Sequence, residues 1–513
     1  MTKLSPNKQL VLNLSATLIV FTVNAVISFF LTPFIVNQLG VEANGFIQLA
    51  SNFVSYIAIM TMALTSVVAR FIMMAYHEND EQKASQYYSS TFIGNLAILL
   101  ALFIPVILGI VFLDSFIMIP YYLITQVRLL FFFVFLNFFL TTIFPSWSVA
   151  FFVTNHMYLQ SIGKIIFGSV KAFLIILMFS FFPAQIWYIG MAMTFSTLAL
   201  QCWNYLGKKK LMPNISFKMK SVSANTIKIL LSSGIWNSIN QVGVVLSSGL
   251  TLILTNIFID NESMGIVSIA KIVPNMLEYL QFIITKNFVP NMTMLYAKGE
   301  ITKLVSEIFK ASKILLVILG IPFSGFIVFG EIFFSLWMPS QDSQLLQILS
   351  ILSMVNIFFL LGIQPLWHVF KIVNKNKSKS LAVILQGIVA IILIFLALHT
   401  TNWGIFAILG ISVISALVRN LIFTIPFSAR YLGLKWHVFF PLVGLTLVTL
   451  VLNYGLGFLL NHVFSISSWQ GLIGVACIFS ILSLFLNSLI ILNKRERQAV
   501  IGKFFCNGKY FKK

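Results

Sequence analysis

Residues 11–36 read VLNLSATLIVFTVNAVISFFLTPFIV, twenty-six positions without one charged side chain. Wound as a helix this run is about 39 Å long, more than the roughly 30 Å of a bilayer's hydrocarbon core. It exceeds the 7 to 15 apolar residues of a secretory leader and has no clear small-residue cleavage site, so Lys3 and Lys8 in front of it are expected to flank a retained first membrane helix.

The same signature recurs along the chain. Apolar runs occur near 44–69, 91–113, 129–153, 165–182 and 184–206, and again near 227–258, 264–289, 312–336, 345–370, 381–399, 403–427, 437–460 and 469–492. The reading is an all-α integral membrane protein of about fourteen transmembrane helices. Composition agrees: 59% of the 513 residues are hydrophobic and 9% charged, against about 45–50% and 25% in soluble chains. With spans this closely set, no large aqueous domain fits.

The charge is strongly basic, 33 Lys+Arg against 13 Asp+Glu, net +20. In a soluble chain this balance would suggest nucleic acid, but position argues otherwise. Sorted into alternate connections, 29 of the 33 bases fall on one side, Lys164 and Lys171 counted among them. The other side carries Glu42, Asp114, Asp260, Glu262 and Asp342. That is the positive-inside partition of an even number of spans, with both termini cytoplasmic and the bases facing anionic lipid. Cys202 and Cys477 lie in apolar runs and Cys506 in the basic tail, so neither a disulfide framework nor a metal-ligand spacing is present. The histidines fall mostly at helix ends, which suits hydration.

An internal repeat is legible in Gly45-x4-Ala50 and Gly265-x4-Ala270, and in Pro105 and Pro120 against Pro322 and Pro339. An offset of six helices preserves direction through the membrane, so the halves are expected as parallel repeats. The organisation expected is a first lobe over 1–206, a basic cytoplasmic linker over 207–226, a second lobe over 227–427, two further helices over 428–493, and a basic tail over 494–513.

Four bases remain outside the basic loops: Arg70, Arg128, Lys271 and Arg419. A cation at the centre of a span costs about 2.5–3.5 kcal/mol, so each needs a wet cavity, a partner or an interface. Arg70 and Arg128 lie near helix ends, where snorkelling and a lumenal position are both open. Arg419 stands roughly 12 Å from the nearer end and is read as facing a cavity. In the eighth span Lys271 and Glu278 lie roughly 10 and 21 Å deep, on one face with Asn275 and Thr285. Pro274 frees one backbone carbonyl there, which is expected to face a cavity. A polar lumen and a structural bridge to another helix both account for this face. Asn237 and Gln241 give the seventh span a matching polar face, with Asn240, Ser248 and Thr251. Asn24, Asn52 and Asn137 are isolated amides, the kind that bond between packed helices.

No phosphate-binding loop, paired-carboxylate motif or nucleophile elbow is present, which argues against an enzyme or an ATP-driven motor. No cofactor or metal is expected. By elimination the reading ends at a transporter.

The stretch Ile27-Ser-Phe-Phe-Leu-Thr-Pro33-Phe-Ile-Val-Asn-Gln-Leu-Gly40-Val-Glu-Ala-Asn-Gly45-Phe, followed by Ala63-Leu-Thr-Ser and Arg70, resembles Wzx-type polysaccharide flippases of the multidrug/oligosaccharidyl-lipid/polysaccharide exporter superfamily. That resemblance implies two six-helix lobes plus two C-terminal helices in a bacterial plasma membrane. It implies transfer of an undecaprenyl-pyrophosphate-linked oligosaccharide to the outer leaflet for capsule, exopolysaccharide or teichoic acid, beside polysaccharide polymerase and glycosyltransferases. Arg70, Arg128, Lys271 and Arg419 would then line a cationic lumen, with Glu278, Asn275, Asn237 and Gln241 as polar lining or as the site of a coupling proton or sodium ion. A lipid II flippase, a cation-coupled multidrug exporter and a non-transporting scaffold are the alternatives.

Overall fold

In the computed structural model residues 6–493 are described, together with Glu496 and Arg497. The described residues form helices and turns and no strands. In chain order the helices are α1 (Pro6–Leu39), α2 (Val41–His77), α3 (Glu81–Val111), α4 (Ile124–Ile143), α5 (Pro145–Val153), α6 (Met157–Phe181) and α7 (Trp187–Leu211). They continue with α8 (Ala224–Val244), α9 (Thr251–Phe258), α10 (Asn261–Ala270), α11 (Ile272–Lys286), α12 (Val289–Ala297), α13 (Ile301–Trp337) and α14 (Ser343–Leu360). The last are α15 (Leu366–Ile372), α16 (Asn376–Thr400), α17 (Ile405–Arg419), α18 (Ile425–Tyr431), α19 (Pro441–Val463) and α20 (Trp469–Ile491). Apart from Glu496 and Arg497, the basic tail 494–513 lies outside the described residues, as does Lys3.

Thirteen segments among the described residues are long and apolar enough to cross a membrane. The expected crossing at 184–206 corresponds to α7, which has the length but is more polar. Its polar side is turned inward: Thr194 donates to the Phe133 carbonyl at 3.0 Å and Ser196 to the Phe167 carbonyl at 2.6 Å. A spanning helix tolerates such groups when neighbours satisfy them. α16 shows the complementary pattern, with Leu385, Ile388, Ile392 and Phe395 exposed and Gln386, Ala390 and Ile394 buried. In a membrane protein the exposed apolar stripe is the lipid face. The protein is a multi-pass membrane protein.

Packing divides the chain into two compact units, residues 1–268 and 269–513. α8, which follows the expected linker 207–226, packs along α2 in the first unit. The close approach is made at Gly234, where a Cβ would fall 1.9 Å from the Ala63 carbonyl oxygen. The basic linker is shorter than expected: α7 runs on through Lys208, Lys209 and Lys210 to Leu211, and α8 begins at Ala224. Ser223 caps α8 by accepting from the Thr226 N–H, and Ser90 accepts from the Ser223 N–H at 3.1 Å, which fixes the entry to that helix.

One assignment made from the sequence is corrected. Lys164 and Lys171 are not in a basic connection but inside α6, seven and fourteen residues after Met157. The apolar run begins only at Ile165, whereas the helix starts a full two turns earlier, after a turn in which Asn155 takes φ 58°.

That turn is one of several features repeated at nearly constant separation. Asn79 (φ 60°) and Gly299 (φ 72°) end corresponding helices, as do Asn155 and Asn374 (φ 55°). Pro145-x-Trp147 and Pro365-x-Trp367 sit where a crossing is broken in two, at the start of α5 and of α15. The Asn79 and Gly299 pair, and both members of the Pro-x-Trp pair, are 220 positions apart, like Gly45 and Gly265.

Candidate functional site

In the second unit the crossing begun by α14 stops at Leu360 and resumes as α15 after a turn over 361–365. Pro365 precedes the first residue of α15, and a Cβ on Gly362 would meet the Leu442 carbonyl at 2.7 Å, so this turn lies tight against α19. The offset presents Trp367 to α16 and α17. Lys379 Nζ lies 4.7 Å and Arg419 Cζ 4.8 Å from the Trp367 ring centroid.

Neutral polar groups complete the surroundings. Arg419 donates to Gln386 Oε1 at 2.9 Å and to Asn420 Oδ1 at 3.4 Å. Gln386 donates to Ser415 Oγ at 2.8 Å, and Asn420 to Asn356 Oδ1 at 3.2 Å. Just beyond Arg419 the helix widens into a π-helical turn, Asn420–Thr424, which turns Asn420 inward, where it is fully buried. Among the described residues no carboxylate lies within ion-pair distance of Arg419 or Lys379, and Arg419 Nε and Trp367 Nε1 are buried without a hydrogen-bond partner. Lys379 stands in the first turn of α16, whereas Arg419 lies midway along the crossing 405–431. For Arg419 the gain of about 0.5–2 kcal/mol from a cation over an aromatic ring offsets only part of the roughly 2.5–3.5 kcal/mol cost of a mid-span charge. The cluster has the electrostatics of an anion site.

Between α14 and α17 lies a cavity of about 480 Å³ whose lining, including Ile348, Leu352, Trp403, Phe406 and Ile414, is apolar. Such a space takes hydrocarbon and not a headgroup.

The eighth crossing breaks at Lys271, between α10 and α11. Pro274 leaves the Ala270 carbonyl without its helical donor, and the buried Ser350 hydroxyl supplies one at 2.7 Å. The freed carbonyl is therefore closed by a neighbouring helix and not offered to a cavity, which corrects the sequence expectation. Lys271 and Glu278 stand seven residues apart on this stretch, about 10 Å of rise. Asn275 and Glu278 are exposed on it.

The first unit holds the remaining predicted residues. Ser66 on α2 accepts a 2.9 Å bond from Asn237 on α8, and Gln241 follows one turn later on α8. Arg70 lies one turn beyond Ser66, exposed, with its guanidinium 5.2 Å from the centre of the Phe71 ring. α2 and α8 run antiparallel, so Arg70 and Gln241 lie in opposite directions from the Ser66–Asn237 bond. Arg128 stands apart, paired at 2.5 Å with Asp114 in the connection between α3 and α4, both half-exposed. That hydrogen bond holds the Asp114 carboxyl below its ordinary value of 3.8. Asn137 bonds to the Met193 carbonyl and Thr197 on α7, a packing contact as expected of an isolated amide.

The structure thus places Arg70, Asn237 and Gln241 in the first unit, with Arg70 and Gln241 to opposite sides of the Ser66–Asn237 bond along the antiparallel pair α2 and α8. It places Lys271, Asn275 and Glu278 on one broken crossing and Arg419 in a separate cluster of the other unit. Sequence reading missed Trp367, Lys379, Lys164 and Lys171. A search at fixed separation would have found Pro-x-Trp twice, but nothing in one sequence indicates which copy carries cations.

No family model matches the chain. It is 29% identical over 496 residues to the uncharacterized membrane protein EpsK of Bacillus subtilis (strain 168), covering 96% of this chain and 97% of that protein. Among solved structures it is similar to a multidrug resistance MATE family transporter of the MOP superfamily in an inward-facing conformation. The TM-score is 0.67 at 12% identity, over 81% of this chain and 94% of that one. It is also similar to the lipid II flippase MurJ in an inward closed conformation, with TM-score 0.63 at 14% identity over 94% of this chain and 98% of that one. The chain has the fold of the MOP superfamily transporters.

Proposed function

We propose that the protein is a flippase that carries a polyprenyl-pyrophosphate-linked oligosaccharide, with undecaprenyl as the lipid, from the inner to the outer leaflet of a bacterial plasma membrane. The product would feed capsule, exopolysaccharide or teichoic acid synthesis. The observation that carries this reading is the pair Lys379 and Arg419 held at Trp367 among membrane helices, with no carboxylate at ion-pair distance among the described residues. A pyrophosphate crossing a low-dielectric region needs such countercharge. With both termini cytoplasmic, outward movement of each negative charge gains about 2.3 kcal/mol per 100 mV of inside-negative potential. Protein groups then have mainly to lower the desolvation barrier.

Arg70 and Lys271 supply further cations for the headgroup, and Asn237, Gln241 and Asn275 supply neutral contacts to sugar. Arg128 already has its charge answered by Asp114, so its part in this reading is to hold the start of α4. Glu278 is the group on which a coupling proton or sodium ion would act. No catalytic residue is invoked. The basic connections face anionic lipid and offer contacts to polymerase and glycosyltransferases.

A lipid II flippase is the second reading, favoured by the extent of the likeness to MurJ, 94% of this chain against 81% for the MATE transporter. The multidrug-exporter reading is disfavoured because no Asp or Glu occurs between Asp114 and Asp260, so α4 to α9 offer a cationic cargo no carboxylate.

The deciding experiment is the leaflet distribution of undecaprenyl-linked oligosaccharide in cells depleted of the protein. Inner-leaflet accumulation of complete repeat units with loss of surface polymer is expected. Accumulation of lipid II instead would transfer the assignment to the second reading, and unchanged pools of both would sink it.

A further inference from the structure

The transport reading leaves two lysines of the first unit unused. Lys164 and Lys171 stand roughly 10 and 21 Å along α6 from Met157, so Lys171 is beyond the reach of snorkelling from that end. Gly168 lies between them on the helix side they share, and a Cβ there would come within 3.3 Å of Asn24 Oδ1 on α1. The two helices are fixed in this register at their ends. Asn13 Oδ1 accepts from the Tyr158 N–H at 3.0 Å, while Gln9 and Asn13 donate to the Asn155 carbonyl at 2.7 and 3.3 Å. Lys164 is exposed and Lys171 half-buried.

Neither lysine has a carboxylate within ion-pair distance among the described residues. The acid-free stretch from Asp114 to Asp260 contains all of α4 to α9, and α1 carries no acid either. Two cations kept in a span at about 2.5–3.5 kcal/mol each, with no acid on the helices beside them, call for a mobile anion.

We propose that Lys164, Asn24 and Lys171 form a second anion site, a two-rung ladder for phosphate groups. The lysines are seven residues apart, about 10 Å of rise, too far to grip one phosphate together. A phosphate therefore binds at one rung and moves to the other, with the Asn24 amide between them. Lysine suits this role because its ammonium is a point charge on a flexible stem and does not clamp its partner as arginine does. The identification of the phosphate with the lipid-linked headgroup rests on the flippase reading; the chemistry of the site does not.

The test uses the full chain in nanodiscs, with farnesyl pyrophosphate and inorganic pyrophosphate as probes. Labelling of Lys164 and Lys171 by an amine-reactive reagent is read by peptide mass spectrometry, with the exposed Lys303 as internal control. Labelling of Lys164 and Lys171 is expected to fall roughly tenfold with the prenyl probe, and Lys164→Gln/Lys171→Gln to bind it at least about tenfold more weakly, while the Lys→Arg pair retains binding. Protection by the prenyl probe alone assigns the phosphate to a lipid headgroup; equal protection by inorganic pyrophosphate assigns it to a soluble anion. Unchanged labelling with both probes overturns the site, and this readout on the unmutated protein stands even where the double variant fails to accumulate. Protection without any change in lipid pools on depletion would remove the flippase reading and leave the site; altered pools without protection would do the reverse.

Discussion

Trp147 and Trp367 occupy equivalent points of the repeat, each two residues after a proline that restarts a broken crossing, and their surroundings have opposite chemistry. Trp147 stacks on Phe144 with ring centroids 4.0 Å apart and meets Tyr205 at 5.1 Å. Trp367 meets Lys379 and Arg419. Where the second unit has Lys379 and Arg419, the matching positions of the first, five residues after Asn155 and 220 before Arg419, hold Gln160 and Ala199. One backbone device therefore serves an aromatic core in one unit and a charged cluster in the other, and the residues arriving from neighbouring helices decide which.

The comparison can be broken most directly at its charged member. Arg419→Ala is expected to reduce transport of the lipid-linked oligosaccharide by at least about a hundredfold with normal abundance in the membrane, and Lys271→Ala to do the same. Lost abundance with either would assign that residue a structural bridge. Lys379→Gln, which gives the second unit the residue found at the matching point of the first, is expected to cost at least about tenfold in transport rate, one charge-assisted contact being worth about 1.5–3 kcal/mol. Its measurement in the same cells sharpens the contrast, since an unchanged rate would leave Arg419 acting alone.

Trp147→Ala should act on the other axis. Loss of this half-buried ring is expected to destabilise the first unit by roughly 2 kcal/mol, below the 3–5 kcal/mol of a fully buried aromatic. Thermal denaturation in detergent checks this, and a transport defect at unchanged melting temperature would contradict the division of roles. Glu278→Gln is expected to alter transport only several-fold while abolishing its dependence on a proton or sodium gradient in vesicles. Dependence that persists would assign Glu278 to structure.

The smallest effect concerns Asp114→Asn, which leaves Arg128 unpaired at an exposed site and should shift the melting temperature slightly. Because the folded carboxyl is held below 3.8, the pair's contribution is fully present above that value and is lost as pH falls further through the lowered folded value. The difference between variant and parent should therefore vanish in strong acid.

Spans were legible because hydrocarbon solvates no peptide group: about twenty consecutive apolar residues can only be a helix there, whatever surrounds them. Boundaries were less so. Hydropathy loses the polar first turns of α6, which left Lys164 outside the expected span, while Lys171, inside the run 165–182, was sorted with the basic side although it stands well within the helix. Hydropathy also underrates α7, whose polar side is satisfied by Phe133 and Phe167 carbonyls. Arg419 could be singled out from depth alone. Its partners Gln386, Asn420 and Trp367 could not, since they come from α16, a π-helical turn and α15, elements up to 52 residues away in the chain.

By itself, then, the sequence determined that this chain is a bundle of membrane helices with a strongly uneven distribution of charge, for insertion energy is a sum over local residues. Only the tertiary structure decided which of those charges are answered. It paired Arg128 with Asp114, closed the carbonyl freed by Pro274 with Ser350, and left Lys379, Arg419, Lys164 and Lys171 with no carboxylate at ion-pair distance among the described residues. The energy of a buried charge depends on what lies within a few ångströms, and that is set by packing between segments distant in sequence.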